Sequence, residues 1–96
     1  MICWVMYDIK DDKARAKIAK ACQQSGLYRV QYSVFLGTID ADRKDELYLR
    51  IEELMNEEVD SVYIFPMSKD ELQDTELLGQ AFDKDMVTDE VKSLFL

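Results

Sequence analysis

Asp8 is the residue around which chemistry in this chain would have to be built, because it is the first polar side chain after the apolar run of residues 2–7. That run reads as a strand covered on both sides, and in open sheets ligands collect in the crevice at the strand ends. A turn or helix-capping role is the competing reading. A carboxylate is a hard oxygen donor suited to Mg2+ or Mn2+, but one is a poor site: magnesium takes six oxygens, usually one or two carboxylates with water and substrate phosphate. A twofold axis near Asp8 would supply the second carboxylate. The chain has no histidine, which removes the usual neutral-pH general base and most transition-metal ligation.

The cations near Asp8 suit phosphate. Arg15 and Arg29 can act as bidentate clamps, with ordinary surface arginine as the alternative. Lys13, Lys17, Lys20 and Gln24 share one face of the first helix pattern, where water or phosphate fits equally well. Asp11 and Asp12 stand just before that helix and fit a cap better than a ligand. Cys3 and Cys22 are too few and too far apart for a disulfide framework or zinc knuckle, and both lie in apolar periodic segments, as buried free thiols do.

Charge divides along the chain. The formal net charge of −8 splits into +3 over residues 1–29 and −11 over residues 30–96. One face then suits phosphates, and another repels them or meets a basic partner; solvated helix faces are the plainer account. The last turn of the second helix, with Glu52, Glu53, Glu57 and Glu58, opposes its own macrodipole. No apolar run reaches the roughly 20 residues that span a bilayer, and the first residues lack a signal-peptide pattern, so a cytoplasmic protein without membrane attachment is expected.

The elements that must position these residues follow from periodicity. After the strand of residues 2–7, Asp11 or Asp12 caps a helix running to Gly26, with Ala14, Ile18, Ala21 and Cys22 inward. Residues 28–39 alternate as strand but change phase at Tyr32 and Ser33, and Gly37 interrupts them, which predicts two short strands or one strongly bent. Asp40 or Asp42 opens a helix to about Asn56, with Leu47, Ile51, Leu54 and Met55 inward and a Glu46–Arg50 pair outward. Residues 62–67 form a strand whose Pro66 belongs at an edge or end. Residues 68–76 read as a loop, 77–82 as a short further strand, and 88–95 as a short helix.

The order β-α-β-β-α-β predicts an α+β, ferredoxin-like split βαβ fold: one antiparallel sheet with both helices on one face. Residues 1–82 form the domain and 83–96 a tail. A monomer would leave an apolar sheet face containing some of Trp4, Met6, Tyr63 and Phe65 in water, so a face-to-face homodimer is expected, with the 77–82 strand crossing to the partner's sheet edge. A chain of this length also gains from association, because it buries only about 60–65% of its unfolded surface.

The blocks YDIKDDKARAK, GLYRVQYSVFLGTI and DSVYIFPM, in this order, resemble the CRISPR-associated protein 2 family, the small partner of the spacer-inserting integrase. The resemblance covers residues 1 to about 82 and is most specific at YDI, DD with Arg15, and RVQYSVF with Gly37. It implies a homodimer in which Asp8 binds Mg2+ or Mn2+ between protomers, with Arg15, Arg29, Ser33 and Phe35 lining the cleft. It further implies metal-dependent endonuclease activity on RNA or DNA in some members, and a place in CRISPR adaptation beside the CRISPR-associated integrase (protein 1). Ser33 has no assignable base and fits a phosphate or water contact better than a nucleophile, and Phe35 fits core or cleft wall better than a base-stacking platform.

Two functions follow from the resemblance: a metal-dependent endonuclease centred on Asp8, or a non-catalytic dimeric adaptor that bridges integrase units and holds duplex DNA. An RNA-recognition module is disfavoured because QYSVFLG lacks its aromatic strand motif. A ligand-sensing domain would more often place glycine where this chain has DIKDDK.

Overall fold

The structure, a computed structural model, describes residues 1–82. Strand β1 (Ile2–Asp8) is central, and every residue from Ile2 to Val5 is buried. Helix α1 (Asp12–Gln24) is capped by Asp11, whose carboxylate accepts from Ala14 N, and it buries Ile18, Ala19, Ala21 and Cys22. Strands β2 (Tyr28–Gln31) and β3 (Val34–Thr38) follow, then helix α2 (Ala41–Leu54), capped by Asp40, and strand β4 (Ser61–Met67). The sheet is antiparallel in the order β2-β3-β1-β4. This is the ferredoxin-like arrangement, with β4 at an edge where Pro66 leaves no interior ladder position unfilled.

The phase change at Tyr32 and Ser33 is a two-residue hairpin. Neither residue takes a positive φ, so the turn is not of the primed type that matches strand twist, and the β2–β3 register shifts between Arg29 and Gln31. Gly37 permits a close approach: a Cβ there would lie 3.2 Å from Gly26 O and Leu27 Cα, so a side chain would push the α1–β2 turn off β3 by a few tenths of an ångström.

Alternation gives the sheet two faces. Cys3, Val5, Tyr7 and Phe35 pack toward α1 and α2 with Ile18, Cys22, Leu47 and Ile51. Ile2, Trp4 and Leu36 form a second cluster on the opposite face, with Met6, Val30, Val34 and Met67 against it.

That second face is partly covered by the chain itself, which corrects two expectations. Residues 68–76 are not simply a loop: Ser68 and Glu71 form a capping box that starts helix α3 (Lys69–Asp74), and its Leu72 is fully buried against Ile2, Trp4 and Leu36. Within the single chain residues 77–82 form no strand: after α3 they run beside the non-helical face, and Phe82 packs edge-on against Trp4 at 5.7 Å. Trp4 is therefore 8% exposed rather than open to water. The Glu46–Arg50 pair is also replaced, since Arg50 meets Glu53 at 3.4 Å. The expected helix at 88–95 lies outside the described residues.

Candidate active site

Asp8 closes β1, paired in register with Ser61 of β4. It continues the alternation of Ile2, Trp4 and Met6, which places it at the end of the non-helical face. Lys10 is its neighbour, with Nζ 3.3 and 3.2 Å from the two carboxylate oxygens. Both side chains are well exposed, so the pair is weak and readily exchanged for another cation. Among the described residues no group of three or more His, Cys, Asp or Glu side chains comes together. The described residues of one chain thus give Asp8 no ready-made ligand cluster.

The loop after Asp8 is held by backbone-directed bonds. Arg15 Nε donates to Ile9 O at 3.2 Å, Nη2 to Lys10 O at 3.4 Å, and Nη1 meets Asp12 at 2.9 Å. Asp12 first, and then the Tyr32 hydroxyl, hold the Arg15 guanidinium more firmly charged than usual. Arg15 is consequently a clasp on the β1–α1 loop before it is a phosphate clamp. On the other side of that loop, Lys10 N donates to Asp60 Oδ1 at 2.8 Å while Asp60 Oδ2 accepts from Asn56 N at 2.8 Å. Two backbone donors keep the Asp60 carboxyl below its usual range, that of Asn56 contributing most.

Arg29 extends from edge strand β2 on the helical side. Its guanidinium lies 5.1 Å from the Phe35 ring centre and 5.9 Å from that of Tyr32. Phe35 stacks in turn on Tyr7 at 6.3 Å, and the buried Tyr7 hydroxyl has no hydrogen-bond partner. Burial pushes the Tyr7 phenol up, while the nearby Arg29 opposes that shift. Ser33 ties the hairpin tip to β1, because its carbonyl accepts from Tyr7 N at 3.0 Å, one residue before Asp8.

Asp8, Ser33, Arg15 and Arg29 therefore gather at one end of the sheet, although Asp8 belongs to the non-helical face and Arg29 to the helical one. Lys13 and Lys17 are exposed on α1. Phe35 is fully buried, so of its two expected places it takes the core and not the cleft wall, with Arg29 over its ring. Asp11 is a helix cap. Sequence reasoning passed over Lys10, Tyr32 and Asp60 as site residues; of these only Lys10, two residues from Asp8, carried a local signal.

The family model described as CRISPR associated protein Cas2 matches residues 1–75. CRISPR-associated endoribonuclease Cas2 of Desulforudis audaxviator is 38% identical over 69 residues, covering 72% of this chain and 65% of that relative, just under two thirds of its length. CRISPR-associated endoribonuclease Cas2 2 of Chloroflexus aurantiacus is 34% identical over 83 residues, covering 86% of this chain and 98% of the relative. Among solved structures, a hypothetical protein from Thermus thermophilus superposes with a TM-score of 0.72 at 32% identity, covering 83% of this chain and 92% of that one. Streptococcus pyogenes Cas2 does so with a TM-score of 0.71 at 27% identity, covering 82% and 100%. With the β-α-β-β-α-β order, the strand-ending Asp8 and a family match across most of its length, this chain belongs to the CRISPR associated protein Cas2 family.

Proposed function

We propose that this chain is a homodimeric, Mg2+- or Mn2+-dependent endonuclease acting on RNA or DNA phosphodiesters in CRISPR adaptation. The relatives named endoribonucleases support the reaction class. The observation that carries the reading is Asp8: an exposed carboxylate at the end of the central strand, on the face left free of α1 and α2, held among the described residues by a surface lysine.

The donor set fits a hard cation in half. One carboxylate per chain is a poor site for a hexacoordinate ion, and a twofold pairing of the non-helical faces about an axis along the strands would bring the two Asp8 side chains to one end of the interface. A bound Mg2+ or Mn2+ would supply charge neutralisation and a water of lowered pKa. The chain's own residues do the rest. Asp8 gives oxygen donors, Lys10 is released from Asp8 and becomes free to meet phosphate, and Arg15 keeps the loop between them in shape. Arg29, backed by Phe35, presents a cation to the phosphate oxygens.

Cleavage of single-stranded RNA and duplex DNA, measured against metal concentration for wild type and Asp8→Ala with molecular mass followed by sedimentation, tests this. Metal-dependent cleavage should fall at least about 100-fold in the variant while the dimer persists. Undiminished cleavage by Asp8→Ala would overturn the catalytic reading. It would favour the dimeric adaptor that bridges CRISPR-associated integrase units, a role to which the exposed Lys13 and Lys17 and the split charge of the chain are suited.

A further inference from the structure

We infer that Tyr32 is a nucleobase-stacking platform at the rim of the site, selecting unpaired RNA or DNA over duplex; this rests on the nucleic-acid reading above. Tyr32 is 72% exposed, yet its place is fixed. It sits in a two-residue hairpin whose next residue, Ser33, is bonded to β1. Its ring contacts Arg29, Arg29 lies against Phe35, and Phe35 stacks on Tyr7, so a continuous set of π contacts runs from the core to solvent and ends at Tyr32. A base laid on the free side of that ring continues the series.

Other exposed aromatics have different surroundings. Tyr63 and Phe65 share the apolar sheet face with Trp4 and Met6, which suits a protein cover. Tyr48 donates to Glu52 at 3.3 Å on the acidic helix α2, where phosphates are repelled. Tyr32 stands instead against Arg29, a cation able to hold a flanking phosphate while the ring takes the base. Both faces of a base inside a duplex are already covered by its neighbours, so the platform serves a strand whose bases are free. Phe35, beneath Arg29, is fully buried and cannot serve.

The test uses a short single-stranded RNA carrying one 2-aminopurine, bound in EDTA so that cleavage does not intervene, with a duplex DNA of equal length beside it. Wild type and Tyr32→Phe should quench the 2-aminopurine. Tyr32→Ala should abolish the quench and weaken single-strand binding roughly fivefold to hundredfold, with duplex binding unchanged. Equal single-strand affinity of wild type and Tyr32→Ala, or equal loss on both nucleic acids, would overturn the platform. If wild type quenches and never cleaves, hydrolysis falls and the platform stands; if wild type binds neither nucleic acid, both fall.

Discussion

Asp60 joins two loops through one carboxylate, and its protonation state decides how firmly they are joined. Each oxygen takes one backbone N–H, from Asn56 in the α2–β4 loop and from Lys10 in the β1–α1 loop. Those bonds favour the charged form and depress the folded-state pKa, so the contribution to stability is complete above the unfolded carboxyl value of about 3.9 and is lost as pH falls through the depressed value. Asp60→Asn keeps one acceptor and sets an amide N–H against the other donor. The urea midpoints of wild type and variant should therefore differ by a constant amount at neutral pH and converge below pH of about 4. A gap that stays constant to pH of about 2 would show that Asp60 does not titrate as a loop tie. At this scale Asp8 was legible, because a charge ending an apolar run is a local event. Asp60 and Tyr32 were not, since their partners lie on other elements: Lys10 is 50 residues from Asp60 in sequence. The buried thiol of Cys22, pushed up to about 12 by desolvation, matches its apolar stripe.

Among the elements, those with long apolar periods were readable from the chain. Helices α1 and α2 begin at the expected Asp11 and Asp40 caps, and the bent strand is two strands. Helix α3 escaped because it has six residues and one buried side chain, Leu72, too little for periodicity to register. Its local signature was nonetheless present in Ser68 and Glu71, three residues apart. A helix this short depends on its cap, since nucleation is costly and few internal bonds repay it. Ser68→Ala should cost about 1 kcal/mol of stability and loosen α3 from the sheet. The chain has a single tryptophan, Trp4, which lies in the same cluster as Leu72. Its emission should shift to longer wavelength in Ser68→Ala before global unfolding begins; an unchanged spectrum would mean that Leu72 stays docked without the capping box. Strand propensity at 77–82 counts only where an edge is available, and the edge expected for it belongs to a second copy; within one chain those residues form no strand.

For the molecule as a whole, the open question is what meets the rest of that face. Leu72 and Phe82 cover its Trp4 region, so the apolar surface left in water shifts toward β4, where Tyr63 is 63% and Phe65 36% exposed, Phe65 stacked on Trp4 at 5.9 Å. A chain of net charge −8 repels its own copies, and self-association has to come from an uncharged patch large enough to offset that repulsion. The β4 half of the face, with Tyr63 and Phe65, offers an uncharged surface, and Ser61 at its end is in register with Asp8, so a twofold axis running along the strands there would carry the two carboxylates to the same rim. Tyr63→Arg places like charges on both copies at the centre of this contact while leaving the core untouched. It should weaken the dimer at least about tenfold, the effect of roughly 1.4 kcal/mol. Sedimentation at micromolar concentration should then shift toward the 11.2 kDa monomer, with metal-dependent cleavage lost in proportion to the dimer. A Tyr63→Arg protein that sediments as a monomer and still cleaves at the wild-type rate would separate Asp8 from any partner carboxylate and remove the need for a twofold site.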